Sequence, residues 1–310
     1  MSHGAAWPAL VLAAGLGTRL RPLSTVRAKA ALPVAGRPLI VRILSQLRAS
    51  GITRVVINLH HRAETITRIV GDGRSAGLEV RYSWEPELLG SGGGPARAVP
   101  LLAHDRFFIV NGDTLSDVSF EQLAQAHVQS GADVTLAVAP ADLSKYGAVV
   151  SDRAGGVVGI VPRGRAIGEE AGRDLWHFVG VQAVNAAAFA GVDPARPADS
   201  LREVYPRLVS ERSSAVRVFP TSGAFHDIGT PGDYLATAQA FARAEGTRLD
   251  CGEGTVVPPS ARVEDSVLWD RVTVGAAAEL SQCIVTDDVV IPPAARYHRA
   301  VITRDGSVPL

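Results

Sequence analysis

Over the first 240 residues, hydrophobic positions alternate between short continuous runs and helical spacings. Short apolar runs predict buried strands, and apolar residues three and four positions apart predict helices. The predicted strands span residues 7–13, 55–59, 78–83, 107–111 and 134–139. The predicted helices span residues 38–50, 62–70, 95–102 and 120–128. This alternation predicts an α/β fold with a Rossmann-like, doubly wound, mostly parallel mixed sheet.

The pattern then changes to strands separated by glycine turns, at residues 148–151, 157–161 and 178–184. We expect these strands to form a β-rich insertion that covers one side of the sheet. Helical spacing returns at residues 200–211 and 231–244.

After Gly246, apolar residues recur every six positions. The residues in the two phases are Val256, Leu268, Val274 and Leu280, and Val272, Ala278, Ile284 and Val290. A six-residue period is typical of a β-solenoid, and an irregular β-hairpin tail is the alternative. We therefore expect a large domain at residues 1–246 and a short left-handed β-helix of hexapeptide repeats at residues 247–310. So short a coil leaves an open apolar end. We expect that end to be buried either by self-association, which predicts a homo-oligomer, or by packing on the large domain.

Composition narrows the classes of partner. The 310 residues include 31 basic and 31 acidic side chains, and this zero formal charge disfavours a nucleic-acid partner. Cys251 and Cys283 are too few for a disulfide framework, which predicts a cytoplasmic setting. We interpret the apolar residues 5–16 as a strand entering a glycine loop, because no cationic segment precedes them. No apolar run reaches the ~20 residues of a membrane span, so we expect no membrane partner.

A glycine pair follows the first predicted strand. Gly15 and Gly17 would let backbone N–H groups approach phosphate oxygens, and Arg19 and Arg21 add charged donors. A dinucleotide-binding fingerprint would need a third glycine where Leu20 stands, and the Gly-Lys-Ser/Thr of a Walker loop is missing. By itself the pair could form an ordinary tight turn.

Two aspartates lie next to predicted elements at positions that could be functional or structural. Asp113 follows the strand at residues 107–111, at the carboxyl end where doubly wound sheets bind ligands. Asp227 lies just before a predicted helix that starts near Pro231. Each aspartate could instead cap a turn or helix. The eight histidines are interpreted as structural or surface residues.

Five ordered motifs resemble those of the sugar-1-phosphate nucleotidylyltransferase family. They are Gly15 to Ser24 with Lys29 and Leu32 to Ile40 behind it, Gly90 to Gly94, Asn111-Gly112-Asp113, Tyr146-Gly147, and Asp227 to Pro231. The resemblance covers residues 7–245 and is nearest to mannose-1-phosphate guanylyltransferases and N-acetylmuramate-1-phosphate uridylyltransferases. The tail resembles the one carried by such guanylyltransferases.

The resemblance implies that residues 1–246 transfer a nucleotidyl group from an NTP to a sugar 1-phosphate and release pyrophosphate. Mg²⁺ would be shared by Asp113 and Asp227. Arg19 would contact the triphosphate, and Lys29 would lie near the α-phosphate. GTP is the favoured nucleotide and UTP the alternative.

The resemblance also implies a set of substrate-binding residues around the nucleotide and the sugar. They are Leu12, Ala14, Gly15, Gly17, Thr18, Gly90, Gly92, Gly93, Asn111, Gly112, Tyr146, Gly147, Arg163 and Gly180. The run from Gly90 to Gly94 is expected to be a shaped loop that leaves room for the base or ribose and exposes N–H groups. A flexible linker is the alternative.

Two departures from the family pattern lie in the expected sugar pocket. Val161-Pro162-Arg163 stands where Glu-Lys-Pro is frequent, and either Arg163 or Lys145 could replace the missing cation. Phe178-Val179-Gly180 stands where Asn-Ala-Gly is frequent. The identity of the sugar therefore stays open.

Mannose-1-phosphate guanylyltransferase, which makes GDP-mannose, is the preferred function. One alternative is a uridylyl- or other transferase acting on N-acetylmuramate, glucose or heptose 1-phosphate. Another is a non-catalytic regulatory paralogue that binds a nucleotide sugar. Because Asp113, Asp227, Arg19 and Lys29 are all present, the sequence favours an enzyme.

Overall fold

A computed structural model describes residues 7–142, 147–161, 173–247 and 250–310. The chain divides into two compact units. The first consists of the residues up to Gly15, Leu44–His60 and Gly71–Phe225. The second consists of Leu16–Ile43, His61–Val70 and His226–Leu310. Each unit is therefore assembled from segments that are far apart in the sequence.

The helices within the described residues match most of the predicted positions. They are α1 (Leu23–Val26), α2 (Leu39–Ala49), α3 (Ala63–Val70), α4 (Gly90–Leu102), α5 (Phe120–Ser130), α6 (Tyr205–Glu211) and α7 (Pro231–Ala244). Single turns of 3-10 helix lie at Thr18–Leu20, Lys29–Ala31, Arg74–Ala76 and Ala186–Phe189, and a π-helical turn at Ser200–Val204 leads into α6.

The strands fall into two series, one before and one after α7. The first series is β1 (Ala9–Leu12), β2 (Pro33–Val34), β3 (Arg37–Pro38), β4 (Arg54–Leu59), β5 (Glu79–Trp84), β6 (Arg106–Asn111), β7 (Thr114–Ser116), β8 (Val134–Pro140), β9 (Ala148–Ser151), β10 (Val157–Val161), β11 (Asp174–Asn185), β12 (Val216–Pro220) and β13 (Phe225–Asp227). The tail series is β14 (Asp250–Cys251), β15 (Arg262–Glu264), β16 (Val267–Leu268), β17 (Thr273–Val274), β18 (Glu279–Ser281), β19 (Ile284–Val285), β20 (Val290–Ile291), β21 (Arg296–His298), β22 (Ala300–Thr303) and β23 (Gly306–Pro309).

A nine-stranded mixed sheet forms the centre of the first unit, with seven strands in the order β10-β9-β11-β6-β1-β4-β5. Strand β8 pairs with both β11 and β12. Strands β6, β1, β4 and β5 are parallel, whereas β11 runs antiparallel to β6. The predicted α/β class and Rossmann-like mixed sheet are confirmed.

Both faces of this sheet are covered, as the continuous apolar run in β6 predicts. Phe107 and Ile109 belong to a core cluster that includes Ala98 of α4. Phe108, which points to the opposite face, meets Phe120 of α5 with ring centroids 5.1 Å apart. Alternate residues of one strand therefore anchor helices on opposite sides of the sheet.

The prediction that residues 148–184 cover one side of the sheet is wrong. Strands β9, β10 and β11 extend the sheet itself. The 12-residue β11 is long enough to pair with β9 at one end and with β6 at the other. Because β8 occupies its opposite edge, β11 is buried in the middle of the sheet.

The tail is a coil of short parallel strands with three sides. Its three sheets are β14-β16-β19-β22-β23, β15-β18-β21 and β17-β20, and all but the last pair of the first sheet are parallel. Stacked contacts join residues 17 positions apart, as in the hydrogen bond from Cys283 N–H to Ser266 Oγ. This architecture is the one expected for the predicted left-handed β-helix.

The spacing of 17 residues is one fewer than three equal hexapeptides would give. Residues that stack inside the coil follow this 17-residue repeat, as in Leu268, Val285 and Ile302 of the apolar core. Val256 and Val290, which a strict six-residue period would place inside, are instead 59% and 70% exposed. One shortened side per turn shifts the six-residue phase, so inward positions drift along the sequence.

Both cysteines are free thiols in this tail, with Cys283 buried and Cys251 half-buried. Among the described residues, no helix combines the length and apolar character required to cross a bilayer.

Candidate active site

The first unit brings two predicted segments together at the carboxyl ends of β1 and β6. Leu12 is the register partner of Asn111. The N–H of Gly112 donates to the carbonyl of Leu12 at 2.8 Å. A Cβ added to Gly112 would lie 2.6 Å from that same oxygen. The two strand ends can therefore approach this closely only because residue 112 is glycine.

Asp113 is half-buried and lies directly after this junction, as predicted. Its Oδ1 accepts a hydrogen bond from the hydroxyl of buried Thr114 at 3.2 Å. The next helix, α5, is capped by Ser119, whose hydroxyl accepts the N–H of Gln122. The cap of α5 is therefore supplied without Asp113.

Gly180 lies beside the same strand end. Its φ of +80° favours glycine, and it falls where the pairing of β11 with β8 changes register. A Cβ at this position would lie 3.1 Å from Asn111 Cβ and Nδ2 and 3.2 Å from Thr114 Oγ1. Gly147 is half-buried just before β9. Tyr146, Arg163 and Lys145 lie outside the described residues.

A buried polar pair behind the glycine loop was not foreseen from the sequence. Asn58 Oδ1 accepts the Ala13 N–H at 2.6 Å, and its amide donates to Glu85 Oε1 at 2.7 Å. Glu85 Oε2 accepts the Leu89 N–H at 2.9 Å. The network ties the end of β1 to the start of α4. An asparagine within the apolar run of β4 was the one available signal.

The glycine run at Gly90 to Gly94 is not the loop that we expected, because α4 already begins at Gly90. Gly92 and Gly93 are buried, and Gly92 donates its N–H to the Ala198 carbonyl at 2.8 Å. A Cβ on Gly93 would collide with the Arg196 carbonyl. These glycines let another chain segment approach the helix closely, and any role of Gly90, Gly92 and Gly93 toward substrate stays a prediction.

The second unit contains the rest of the glycine loop. Gly17 has a φ of +59° and precedes the turn formed by Thr18 and Arg19, which are both exposed. Its carbonyl accepts the Ser24 hydroxyl at 2.8 Å. A Cβ on Gly17 would lie 3.7 Å from Lys29 Cβ. The loop thus folds back so that Gly17 and Lys29 are neighbours.

Lys29 begins a 3-10 turn and is half-buried between two buried alanines, Ala28 and Ala30. The N–H of Ala28 donates to Thr65 Oγ1 of α3 at 3.1 Å, and its carbonyl accepts the Ala31 N–H at 2.8 Å. The backbone on both sides of Lys29 is therefore fixed by burial and hydrogen bonds.

Asp227 ends β13 and is half-buried. The helix after it is capped by Thr230, whose hydroxyl accepts the Asp233 N–H at 3.1 Å, so the capping alternative for Asp227 does not hold. Arg19 lies close to this segment, because a Cβ on Gly229 would be 3.4 Å from its Nη1. The second unit thus brings Arg19 beside the residues that follow Asp227.

Both parts of the chain are similar to known protein families. A model of the family described as Nucleotidyl transferase matches residues 8–244, and one described as GlmU-like, C-terminal hexapeptide matches residues 245–309. Mannose-1-phosphate guanylyltransferase of Mycobacterium tuberculosis is 28% identical, and the alignment covers 88% of this chain and 83% of that protein.

Two further relatives cover mainly the first part of the chain. N-acetylmuramate alpha-1-phosphate uridylyltransferase of Neisseria meningitidis is 34% identical over 76% of this chain and 98% of its own length. Mannose-1-phosphate guanyltransferase of Schizosaccharomyces pombe is 30% identical over 73% of this chain. The chain spans 62% of that yeast protein, which is less than two thirds.

The fold is shared with HddC from Yersinia pseudotuberculosis, a solved structure with a TM-score of 0.65 and 23% sequence identity. The likeness covers 76% of this chain and 100% of that one. A second structure of HddC, in complex with GMP-PN, has a TM-score of 0.64 and 24% identity. Because the nucleotidyl transferase model matches well over half of its residues, the chain belongs to the nucleotidyl transferase family.

Proposed function

We propose that the protein transfers the nucleoside monophosphate part of an NTP to a sugar 1-phosphate and releases pyrophosphate, with GTP and mannose 1-phosphate as preferred substrates. The observation that carries this proposal is the fold of the glycine loop. Gly17 and Lys29 are neighbours there, in a chain of the nucleotidyl transferase family. A lysine side chain that starts beside a glycine loop is suited to reach a phosphate group held by the loop N–H groups.

In the proposed reaction, an oxygen of the sugar phosphate attacks the α-phosphorus of the NTP. The bond between the α-phosphorus and the bridging oxygen breaks, and pyrophosphate leaves with the bonding electron pair. Because the attacking oxygen is already anionic, no general base is needed. The protein must position two anions and neutralise their charge.

Basic side chains and backbone N–H groups would bear the phosphates. Arg19 and the backbone of Gly15, Gly17 and Thr18 would hold the triphosphate, with Leu12 and Ala14 at the end of the preceding strand. Lys29 would lie against the α-phosphate, where negative charge develops during transfer. The buried alanines on either side of Lys29 keep its backbone position fixed.

Asp113 and Asp227 would hold Mg²⁺. Both are half-buried carboxylates at strand ends, and carboxylate oxygens are ligands that this ion prefers. Among the described residues there is no group of three or more His, Cys, Asp and Glu side chains suited to a metal. Two carboxylates leave room for phosphate oxygens and water, which is how Mg²⁺ is commonly bound beside nucleotides. When bound, the ion would neutralise phosphate charge.

The sugar would lie near Asn111, Gly112, Gly147 and Gly180. Mannose 1-phosphate and GTP are preferred because the mycobacterial guanylyltransferase aligns with both the catalytic part and the tail. UTP with N-acetylmuramate 1-phosphate is the second candidate, since the meningococcal uridylyltransferase has 34% identity. We further propose a cytoplasmic location, where thiols such as Cys251 and Cys283 stay reduced.

A substrate grid tests the proposal. The purified protein is incubated with Mg²⁺, each of the four NTPs and each of several sugar 1-phosphates, and pyrophosphate is measured. We expect release only when both substrates are present, with GTP and mannose 1-phosphate giving the highest kcat/KM. If UTP and N-acetylmuramate 1-phosphate give the highest value, the second candidate is correct. No release in any combination would support the non-catalytic paralogue.

A further inference from the structure

The segment that carries Lys29 is also held by the β-helix tail, through Arg27. This arginine follows α1 and precedes Lys29 by two positions. Its Nε donates to Asp287 Oδ2 at 2.8 Å, and its Nη2 donates to Asp287 Oδ1 and to Asp270 Oδ2, both at 2.5 Å. One guanidinium therefore bridges two tail aspartates on successive turns of the coil.

The Arg27 site is largely shielded from water. The side chain of Arg27 is 11% exposed, and its guanidinium stacks 5.2 Å from the ring centroid of fully buried Trp269. Burial opposes the charge, but the hydrogen bonds and charges of Asp287 and Asp270 outweigh it and raise the pKa of Arg27. The planar guanidinium fixes the direction of these hydrogen bonds as well as their length, which the ammonium of a lysine in the same place would not do.

The tail holds the same segment at two further points. Trp269 Nε1 donates to the hydroxyl of Tyr234 at 2.9 Å, and that hydroxyl donates to the Pro33 carbonyl at 2.5 Å. Asp250 accepts the N–H groups of Ala35 and Gly36 at 3.0 and 2.7 Å. Residues 27–36 are thus tied to the coil at both ends and near the middle, and Lys29 lies between the ties.

We infer that Arg27 is a positioning residue, through which Asp287 and Asp270 of the tail hold the Lys29 segment in the geometry needed for nucleotidyl transfer. The inference rests on the proposed function, and it gives the tail a part in catalysis without a substrate contact. Buried ion pairs contribute little more to stability than apolar replacements would. In this role, the Arg27 pairs would instead hold the Lys29 segment in a single conformation. Displacing a catalytic group by about 1 Å can cost roughly a hundredfold in rate.

The coil offers a matched control next to Asp287. Asp288 pairs with Arg271 at 2.6 Å and with Arg304 at 3.0 Å, both of which belong to the tail. The substitutions Asp287→Asn and Asp288→Asn therefore make the same chemical change one residue apart. Only the first places an amide group, which is uncharged, against Arg27.

The experiment compares kcat, both KM values and backbone hydrogen exchange of residues 28–36 in the full-length wild type, Asp287→Asn and Asp288→Asn. We expect Asp287→Asn to lower kcat by about tenfold to a hundredfold, with a smaller change in both KM values and faster exchange in that segment. Asp288→Asn should stay within about twofold of wild type, because a tail surface pair contributes little. Arg27→Lys, a second variant that retains the charge, should also lose about tenfold or more in kcat.

The outcomes separate this role from the proposed function. If the wild type is active and a folded Asp287→Asn keeps its kcat, the pair is structural and the positioning role is overturned. If Asp287→Asn does not fold, Arg27→Lys decides, and full activity in that variant overturns the role. A wild type that transfers nothing to any sugar 1-phosphate overturns the proposed function, and this role with it.

Discussion

The proposed Mg²⁺ site requires a negative charge on both Asp113 and Asp227. Replacing either by asparagine keeps the shape and removes one negative charge beside the proposed Mg²⁺. We predict that Asp113→Asn and Asp227→Asn each lower kcat by at least about a hundredfold while the protein stays folded. Steady-state kinetics over a Mg²⁺ titration, with circular dichroism, make the measurement.

The exposed Asp117 supplies the control for this pair of variants. Asp117→Asn should keep kcat within about twofold, since exposed substitutions away from a site are usually near neutral. Near-normal turnover of either main variant at saturating Mg²⁺ would exclude that aspartate as a ligand.

A substitution at Gly15 tests whether the backbone of the glycine loop lies against a phosphate group of the NTP. It is exposed, and a Cβ built there meets nothing within 4 Å, so the fold itself does not require glycine at this position. We predict that Gly15→Ala leaves the midpoint of thermal unfolding nearly unchanged but lowers kcat/KM for the NTP by about tenfold or more, because the methyl group meets the phosphate.

Gly159→Ala is the matched control for Gly15→Ala, since a Cβ at Gly159 also meets nothing within 4 Å. It should change neither kcat/KM nor stability. Equal kcat/KM values for Gly15→Ala and wild type would mean that the phosphates bind elsewhere.

Among individual residues, the sequence identifies those that lie in a short motif. It misses those whose role depends on partners distant in the chain. Gly17, Asp113 and Gly180 lie in short motifs that can be recognised without a structure. Asn58 and Glu85 become a buried pair only through contacts among strands that are distant in the chain. The asparagine within the apolar run of β4 is the one local signal, and it does not identify Glu85 as its partner.

Helix α5 contains a buried histidine that makes the stability of the protein depend on pH. His127 of α5 is buried, with Nδ1 at 2.9 Å from Thr135 Oγ1 and Nε2 at 3.2 Å from Asn185 Oδ1. Burial lowers its pKa, and the hydrogen bond to Asn185 opposes that shift without reversing it. The folded protein therefore takes up this proton less readily than the unfolded chain does.

The sign of the pH dependence follows from this difference. Above about pH 6.5 both states hold a neutral imidazole, and the contribution of His127 to stability is complete. As the pH falls through about 6.5, the unfolded chain binds the proton first and stability is lost. We predict that His127→Gln removes this part of the pH dependence, so the difference in unfolding free energy between wild type and variant shrinks from pH 7.5 to 5.5.

Urea unfolding at several pH values measures this effect, with the exposed His298→Gln as the control. The control should run parallel to wild type across the range. Parallel curves for His127→Gln as well would contradict a lowered pKa for His127.

The sequence predicts an element correctly where local residues define its ends. It does not predict the length of a repeat that depends on how successive turns stack. Helix α7 begins and ends at the predicted residues, because Thr230 and Pro231 mark its start within the motif. The 17-residue turn of the tail depends on which side of each coil is one residue short. Six-residue counting cannot find that side, as the exposure of Val256 and Val290 demonstrates.

At the scale of the whole molecule, the tail has two proposed consequences: anchoring of the Lys29 segment and self-association. The expected homo-oligomer stays a prediction, and it is consistent with the exposed Val256 and Val290 on the coil. We predict that light scattering gives the full chain a mass above its 32.5 kDa and that a chain ending at Gly246 loses either mass beyond the deleted residues or solubility. A monomeric full chain whose solubility survives truncation would make the tail a passive appendage in assembly.

The sequence predicts the order of strands and helices, but it does not predict which distant segments share a unit. Residues 16–43 and 61–70 belong to the unit that includes the tail. Contacts such as Arg27 with Asp287, 260 positions apart, create this grouping. Such pairs leave no periodic signal in the sequence.

Nucleotidyl transfer differs from other reactions of an NTP in which phosphorus atom is transferred. The direct test incubates the protein and Mg²⁺ with mannose 1-phosphate and GTP labelled at either the α- or the γ-phosphorus, and repeats the reaction with UTP and N-acetylmuramate 1-phosphate. We predict that the α-label appears in a nucleotide sugar and the γ-label in pyrophosphate, in equal amounts. A γ-label found in orthophosphate or on the sugar, or no consumption of NTP with either pair, would contradict nucleotidyl transfer to these substrates.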